Sequence, residues 1–281
     1  MLRIFSHEIL NPKNFVVTLE LVPRRESFGR TTDTIIGMAK DAFADSRVSA
    51  VSITDNPGGN PSLSPDVLGY EIFEHGLDVI VHFTCRDMNR VGMESRALQL
   101  ARMGMKNILA LTGDYSGKGF GGQGAPVFDL DSVLLNSMLK TVSKKLVASG
   151  DPEQFFTGCA VSPFKTNQAE CHAQYKKLEK KIDAGASFVI TQLGYDVKKF
   201  QELIQYHNSR NPDIPMLASV YVLSPRSAMA MNRKRVPGAY VSDDLFNKVV
   251  SEWKDKRQGL KAAIDRAAKL GVKNQCREID E

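Results

Sequence analysis

The sequence predicts an α/β fold, a (β/α)8 TIM barrel formed by one domain. Short apolar runs alternate with longer amphipathic stretches along the whole chain. The runs recur about every 30 residues, which is the length of a strand–helix–strand unit. The length of 281 residues also suits a barrel of this kind, which typically needs about 250 residues. Since no linker or low-complexity segment interrupts the pattern, residues 1–281 are predicted to form a single domain.

Seven runs rich in Val, Ile and Leu predict strands that are buried on both faces, as in a parallel sheet. They are 15–22, 48–54, 78–84, 107–112, 157–161, 187–193 and 215–223. Successive runs begin 33, 30, 29, 50, 30 and 28 residues apart. An eighth strand is expected after Gly271. Because 272–281 (VKNQCREIDE) is a poor strand sequence, that strand is predicted to be weak or irregular.

The amphipathic stretches between the runs predict helices. They are 31–44, 94–103, 132–148, 168–184 and 243–270. Gly104 and Gly185 follow two of them, as glycine commonly does at a helix C-terminus. Gly259 marks a weak point inside the last helix.

An open, doubly wound sheet with a dinucleotide at its switch point is the alternative fold. The segment 117–122 (GKGFGG) matches the GxGxxG pattern of such proteins. In that motif the helix begins directly after the glycines, whereas here the next helical pattern starts about ten residues later. A lid or surface loop over 113–126 is therefore the favoured interpretation, and direct phosphate contact is the other.

Composition narrows the class of protein. The net charge of +5, from 37 basic and 32 acidic residues, is too small to indicate nucleic-acid binding. None of the four cysteines lies in a CxxC pair, so no metal site or redox pair is predicted. The sequence has no apolar run of about 18 residues and no signal-peptide pattern. We therefore expect a cytoplasmic protein without membrane insertion.

Polar residues occur where the predicted strands end, which is where barrels form their active sites. They are Glu20, Thr54, Asp55, His82, Thr112, Asp114, Gln192 and Tyr221. Structural roles remain alternatives: Glu20 paired with Arg24 or Arg25, His82 as a satisfied core histidine, Gln192 as an interior hydrogen bonder, and Asp114 as a turn residue. Their shared position at strand ends favours a common site.

A cluster of lysines lies on the predicted helix 168–184. Lys177 and Lys181 are one turn apart, and Lys176 and Lys180 form the adjacent row. The cluster is either a solvated face or a site for a phosphate group.

Six segments carry a resemblance to a known family. They are LELVP (19–23), VSITD (51–55), VHFTC (81–85), ALTGD (110–114), KKIDAG (180–185) and ITQLGYD (190–196). In this order and spacing, over roughly 15–235, the sequence resembles the methylenetetrahydrofolate reductase family. Its members are flavoproteins that reduce 5,10-methylenetetrahydrofolate to 5-methyltetrahydrofolate. The resemblance implies a (β/α)8 barrel that holds FAD.

The resemblance also implies roles for individual residues. Glu20 matches the general acid that helps to open the five-membered ring of the substrate. A general acid near neutral pH must keep its proton, and apolar neighbours would favour that. Asp114, which matches the aspartate beside the flavin and the pterin, is the second expected catalytic residue. Expected substrate contacts are Asp114, Gln192 and Tyr221. Expected FAD contacts are Thr54, Asp55, His82, Thr112, Gly113, Asp114, Lys180 and Lys181.

The chain departs from the family pattern in several places. The segment after the fifth strand, 160–168 (AVSPFKTNQ), lacks a tyrosine and a histidine that many members carry. Thr112 stands where many members have arginine, and 221–241 is similar to a variant of anaerobic, acetogen-type members that can associate with other subunits. The expected electron donor is therefore NADH, NADPH or a reduced carrier protein, and a homo-oligomer or hetero-complex is expected. The alternative function is a non-redox folate-binding or methyl-transfer accessory subunit. A Schiff-base aldolase or lyase would need a strand-end lysine, which the predicted strands lack.

Overall fold

A computed structural model of the chain describes residues 4–45, 47–233, 236 and 238–273. Its contacts form two compact units. The first comprises the chain up to Cys159 together with Lys180–Phe188, and the second comprises Ala160–Glu179 together with the chain from Val189. The single domain over 1–281 stays a prediction.

The strands give an α/β fold with a parallel sheet. Nine strands lie in the described residues: β1 (Val17–Leu21), β2 (Val48–Ile53), β3 (Asp78–Thr84), β4 (Asn107–Leu111), β5 (Lys118–Gly119), β6 (Gly122–Gln123), β7 (Phe156–Val161), β8 (Phe188–Thr191) and β9 (Met216–Leu217). The main sheet has the order β1-β2-β3-β4-β7-β8-β9, and β5 and β6 form a separate antiparallel hairpin. An order that follows the chain has no switch point, so the doubly wound alternative is wrong.

The expected closure by an eighth strand is not found within the described part of the chain. There β1 and β9 end the sheet. Val272 and Lys273, where the eighth strand was expected to begin, are helical. The rest of the expected strand, 274–281, lies outside the described residues. The fold is thus like that of a (β/α)8 barrel, without a closed barrel in this part of the chain.

Ten helices accompany the strands in the described residues. They are α1 (Phe5–Leu10), α2 (Arg30–Ala44), α3 (Pro65–Glu74), α4 (Arg90–Arg102), α5 (Ser132–Ala148), α6 (Gln168–Asp183), α7 (Val197–Asn208), α8 (Pro225–Asn232), α9 (Asp243–Glu252) and α10 (Lys256–Lys273). Asp131 explains where α5 begins, because its carboxylate accepts hydrogen bonds from the first free N–H groups of that helix.

The predicted helix 243–270 is in fact two helices, and Gly259 is not where they separate. The break lies between Glu252 and Lys256, where Asp255 caps α10 by accepting a hydrogen bond from Gln258 N at 2.7 Å. Gly259 instead allows close packing, since a Cβ there would lie 2.5 Å from Cγ of Trp253. The glycine is therefore a packing residue and not a helix breaker.

The two faces of the sheet differ in character. Side chains alternate between faces along each strand. On one face, Leu21, Val51, Val81 and Ile108 belong to the buried core shared with the helices. The register places Glu20 beside Ser52, and His82 beside Leu109. These residues therefore occupy the opposite face, here called the inner face, defined by Thr18, Glu20, Ala50, Ser52, Thr54, Asp78, Ile80, His82, Thr84, Asn107, Leu109, Phe156, Gly158 and Phe188.

Aromatic side chains fill the inner face near the amino ends of the strands. Phe5 of α1 is fully buried and lies edge-on to Phe156 and Phe188, with ring centroids 6.0 and 5.3 Å away. Phe5 N also donates a hydrogen bond to Asp78 Oδ2 at 2.8 Å, which ties α1 to the first residue of β3. With this end filled, the part of the inner face that remains for a ligand is at the carboxyl ends of the strands, where Glu20, Thr54 and His82 lie.

Candidate functional site

Glu20 lies on the inner face, one residue before the end of β1, and its side chain is exposed. The expected apolar surroundings are wrong for this residue. Its neighbour Leu21 is buried in the core on the other face, because adjacent residues of a strand point in opposite directions. The alternative pairing with Arg24 or Arg25 is not found among the ion pairs of the described residues. Arg25 instead donates hydrogen bonds to Asn60 Oδ1 and to the Lys118 carbonyl. Glu20 is thus an accessible carboxylate.

His82 is a buried imidazole on the same face. Among the described residues its Nε2 has no hydrogen-bond partner, so it is not the satisfied core histidine of the alternative interpretation. Burial lowers the pKa of His82, and the nearby charge of Arg96 lowers it further, while Glu20 and Asp55 act in the opposite direction. A buried polar atom without a hydrogen-bond partner lowers the stability of the folded protein. A neutral imidazole therefore offers one unused hydrogen-bonding nitrogen to a ligand on the inner face.

Thr54 and Asp55 follow β2 and point in opposite directions. Thr54 is buried on the inner face, and its N–H donates to the Leu21 carbonyl at 3.1 Å. Asp55 Oδ2 accepts hydrogen bonds from Thr84 N and Thr84 Oγ1, both at 3.0 Å. It also accepts one from Arg96 Nη1 at 2.8 Å. Asp55 thus joins the ends of two strands to a helix.

Arg96 holds site residues in place through its hydrogen bonds, and the sequence did not predict it. It is buried in α4 and binds Asp66 through Nε and Nη2 at 2.9 and 2.6 Å. Its Nη2 also donates to the His82 carbonyl at 3.2 Å. The helical spacing of the sequence could have indicated its burial, because Arg96 lies on the same side of α4 as the buried residues Met93, Ala97 and Leu100. Arg96 therefore supports the strand that carries His82.

The turn after β4 brings Asp114 to the carboxyl end of the sheet. Thr112 is turned towards α5, where its Oγ1 accepts a hydrogen bond from Ser132 N at 3.1 Å. Gly113 has φ of +92°, and a Cβ there would lie 3.1 Å from Cβ of Thr84, so only glycine fits without strain. The side chain of Asp114 is exposed. Of the three residues, Asp114 alone presents a charged group to solvent.

The loop that follows is a surface loop, one of the two forms in the favoured interpretation, and it is fastened to its neighbours. Gly117 N donates to the Gly59 carbonyl at 2.6 Å, and a Cβ on Gly59 would lie 2.0 Å from the Tyr115 carbonyl oxygen. Arg25 binds the Lys118 carbonyl at 2.7 Å and lies over the Phe120 ring at 5.5 Å. Gly59 and Gly117 therefore permit close backbone contact between this loop and the loop after β2, and no helix follows the glycines directly.

The two candidate phosphate-binding lysines lie in different environments. In the last turn of α6, Lys180 is exposed and Lys181 is buried. Burial raises the pKa of Cys159 to about 12, and the charge of Lys181 acts against that rise. Cys159 faces the helices, since its neighbour Gly158 aligns with Leu109 on the inner face. Lys181 is therefore beside the helix-facing side of the sheet, away from Glu20 and His82.

Gln192 and Tyr221 belong to the second unit. Gln192 N donates to the Val161 carbonyl at 2.7 Å, and its side-chain Oε1 accepts from Leu193 N at 2.8 Å. Tyr221 is 44% exposed, and its carbonyl accepts a hydrogen bond from the hydroxyl of Tyr195. The Gln192 amide group and the Tyr221 ring are the features that a ligand could use.

The described residues contain neither a metal-binding cluster nor a membrane-spanning helix. Within them, no group of three or more His, Cys, Asp or Glu side chains could hold a metal ion. None of the helices in this part of the chain is both long and apolar enough to cross a membrane.

Fold and site together define an α/β protein of the barrel type, with a carboxylate and a neutral imidazole on the inner face of a parallel sheet. The chain belongs to the methylenetetrahydrofolate reductase family, which it matches over residues 6–277. This match confirms the family resemblance inferred from the six segments.

The relatives that carry the family name include two yeast proteins and one nematode protein. Methylenetetrahydrofolate reductase 1 of Schizosaccharomyces pombe is 24% identical over 233 residues, which are 82% of this chain and 36% of that protein. Methylenetetrahydrofolate reductase 2 of Saccharomyces cerevisiae is 30% identical over 198 residues, 63% of this chain and 29% of that protein. A probable methylenetetrahydrofolate reductase (NADPH) of Caenorhabditis elegans is 28% identical over 152 residues, 54% of this chain and 21% of that protein. The chain thus spans between 21% and 36% of the length of these relatives.

Solved structures share the fold at low sequence identity. An uncharacterized protein from Clostridium thermocellum that binds two copies of 5-methyl-5,6,7,8-tetrahydrofolic acid has a TM-score of 0.62 and 11% identity. The likeness covers 96% of this chain and 88% of that one. A 2,3-dimethylmalate lyase has a TM-score of 0.52 and 11% identity, over 92% of this chain and 94% of that one.

Proposed function

We propose that this chain reduces 5,10-methylenetetrahydrofolate to 5-methyltetrahydrofolate with bound FAD. The observation that carries the proposal is the family match over residues 6–277, joined to an inner face that presents Glu20 and His82. The Glu20 carboxyl group can supply a proton when it is protonated, and the neutral imidazole can orient a polar planar ligand.

The residues on the inner face fit a flavin. The buried Nε2 of His82 has no partner among the described residues and is ready to bind a heteroatom of a planar ring. Thr54 lies on the same face, and Gly113 keeps the neighbouring turn free of a side chain. FAD, when bound, supplies hydride transfer. The proposed contacts are Thr54, His82, Gly113 and Asp114, whereas Asp55 and Thr112 act through the strands and helix that their side chains hold.

Glu20 is the proposed proton donor for ring opening of the substrate. The methylene carbon of the substrate joins two nitrogens of the five-membered ring. Protonation of one of these nitrogens helps to open the ring and leaves an iminium carbon that accepts hydride. Glu20 is exposed in the structure, so the bound substrate must itself exclude water from the carboxyl group. Asp114, Gln192 and Tyr221 are the proposed contacts that hold the folate.

Glu20→Gln tests this role by separating the two half-reactions. We expect flavin reduction by the electron donor to remain nearly intact. Reduction of methylenetetrahydrofolate should fall by about 10²–10⁴, the usual loss for a general acid. Glu94→Gln, a change at an exposed carboxylate on α4, is the matched control and should alter neither step. Equal loss of both half-reactions would show that Glu20 is a structural residue.

The absorption spectrum of protein purified with FAD available tests the cofactor directly. Flavin bands, and their bleaching by NADH, NADPH or a reduced carrier protein, are the expected result. The donor that bleaches them fastest is the assigned partner. A colourless protein that takes up no added FAD would contradict the proposed reaction.

The proposal also includes the assembly and location of the protein. We place it in the cytoplasm, as a homo-oligomer or as a subunit of a hetero-complex. The outer strands β1 and β9 leave sheet edges in the described part of the chain, and such edges favour association. Light scattering at micromolar concentration measures the mass, and a monomer with full NAD(P)H-linked activity would contradict the proposed association.

A non-redox folate-binding or methyl-transfer accessory protein is the second candidate. The fold likeness to the Clostridium thermocellum protein that binds 5-methyltetrahydrofolic acid favours it. Such a protein would bind 5-methyltetrahydrofolate tightly without any flavin. A Schiff-base lyase is not favoured, since no strand of the main sheet carries a lysine in the described residues.

A further inference from the structure

Arg86 is a buried cation that the proposed reaction does not use. It lies two residues beyond the end of β3, and its side chain is 1% exposed. A buried guanidinium needs a closely matched anion. Asp87 provides it through two bonds, from Nε to Oδ1 at 2.9 Å and from Nη2 to Oδ2 at 2.6 Å. This two-pronged contact fixes the direction of the guanidinium plane.

The remaining nitrogen of Arg86 points to the turn that carries Asp114. Its Nη1 donates to the Asp114 carbonyl at 3.3 Å. A Cβ on Gly113 would lie 3.3 Å from Arg86 Cβ and 3.4 Å from Nη1, so the turn rests directly on this side chain. The Arg86 carbonyl also accepts a hydrogen bond from Val127 N at 2.8 Å. A single residue thus holds both ends of the loop between Asp114 and Val127.

Asp87 is in turn held by a neighbouring loop. Asn56 Nδ2 donates to Asp87 Oδ2 at 3.0 Å, and Asn56 Oδ1 accepts from Ser62 N at 2.9 Å. Burial alone would raise the pKa of Asp87, but the hydrogen bonds from Arg86 and Asn56 outweigh it and lower that pKa. The carboxylate therefore stays ionised, and its pairing with Arg86 persists at neutral pH.

We propose that Arg86 is a positioning residue. Clamped by Asp87, it fixes the Gly113–Asp114 turn and so sets the direction in which the Asp114 carboxylate enters the site. This inference rests on the proposed function, in which Asp114 contacts the folate. It assigns to Arg86 no contact with substrate or FAD.

Two variants and one control test the proposal. Arg86→Lys keeps the charge but loses the planar two-pronged contact, and Arg86→Met removes the charge as well. Lys106→Met is the matched control. It removes the cation of another buried ion pair, with Asp151 at 2.6 Å, beside the opposite end of β4.

Hydrogen exchange provides the readout that does not depend on activity. In Arg86→Lys, amide exchange of 112–116 should become faster by about tenfold or more, because the side-chain bond to the Asp114 carbonyl is lost. Val127 donates to the Arg86 backbone carbonyl, which the substitution keeps, so its exchange should change less. The same peptides should be unchanged in Lys106→Met. Unchanged exchange in both Arg86 variants would overturn the proposal, even if the protein neither binds folate nor reduces it.

A double-mutant cycle with Asp114→Asn then tests whether Arg86 acts through Asp114. We expect Arg86→Lys to weaken 5-methyltetrahydrofolate binding to the oxidised protein by about 10–100-fold, as a misplaced contact group does. In the Asp114→Asn background the same change should have less than a twofold effect, because the group that it positions is already disabled. Fully additive losses would overturn the proposal. A wild-type protein without folate binding would count against the proposed function, and hydrogen exchange would still decide the role of Arg86.

Discussion

Arg96→Met is the sharpest test of what supports the inner face. The Arg96 side chain is 6% exposed, and its partners Asp55 and Asp66 are 9% and 14% exposed. Methionine can still pack against the Phe83 ring, which the guanidinium now covers at 4.3 Å. The substitution therefore leaves packing largely in place and removes the cation that two desolvated carboxylates share.

The expected loss follows from that geometry. Breaking a buried ion pair by removing one partner costs about 3–5 kcal/mol, because the remaining charge stays buried. Two carboxylates lose their cation here, but Asp55 keeps two hydrogen bonds from Thr84. We therefore expect a total of about 4 kcal/mol and not twice the single-pair value. The triple variant with Asp55→Asn and Asp66→Asn should be more stable than Arg96→Met alone, because no buried charge remains.

Urea denaturation measures these differences from the midpoint and slope of unfolding. Arg47→Met is the control, since Arg47 is 83% exposed and its pair with Asp45 lies at the surface. That variant should unfold at the wild-type midpoint. A loss below about 1 kcal/mol in Arg96→Met, the size of an ordinary surface change, would refute the reasoning. So would a triple variant that is less stable than the single one.

Three further changes test separate regions of the molecule. Gly158→Ala places a Cβ 2.3 Å from the Phe188 ring and should lower the free energy of unfolding, measured in urea, by about 1–3 kcal/mol. Adding Phe188→Leu should restore part of this loss, and an unchanged unfolding midpoint in Gly158→Ala would contradict the tight contact. Burial raises the pKa of Asp78, so the folded state keeps this proton to a higher pH than the unfolded state does. The free energy of unfolding of the wild type should therefore fall as pH rises from about 4 through the raised pKa. Asp78→Asn should remove this pH dependence, and the same pH dependence in both proteins would contradict the prediction. Because Lys181 lies on the helix-facing side of the sheet, replacing Lys180 and Lys181 by alanine should leave FAD affinity unchanged across a salt titration, with Lys180→Ala reporting the exposed lysine alone. A loss of affinity that is largest at low salt, where charges are least screened, would show instead that these lysines hold a phosphate group.

The elements of the fold that could be predicted are those whose sequence pattern reflects burial. β3 (78–84) and α5 (132–148) match the predicted boundaries, since one is a continuous apolar run and the other begins at a capping aspartate. The run 215–223 forms only Met216–Leu217 of β9, and Tyr221 and Val222 beyond it are 44% and 46% exposed. Apolar residues favour a strand, but pairing needs a neighbouring strand, which hydrophobicity does not encode.

The sequence predicts which residue types form the candidate site and at which strand ends they lie. It does not predict to which face of the sheet each side chain points. Glu20 and His82 are on one face, whereas Asp55 and Thr112 turn away, because adjacent residues alternate and a shift of one position reverses the face. Arg86 and Arg96 were missed for a different reason. A charged residue in a loop or helix shows its burial only when its carboxylate partners are seen in space.

The hairpin after β4 affects how ligands exchange with the site. Its backbone bond from Gly117 to Gly59 and its clamp by Arg25 join it to the loops after β1 and β2. Swinging outward would break several such bonds, each worth about 1 kcal/mol, and would pull apart backbone segments that are in direct contact. This side of the site is therefore held in place by direct contacts. Under the proposed function, folate exchanges past this fixed wall, and no opening motion of the hairpin is needed.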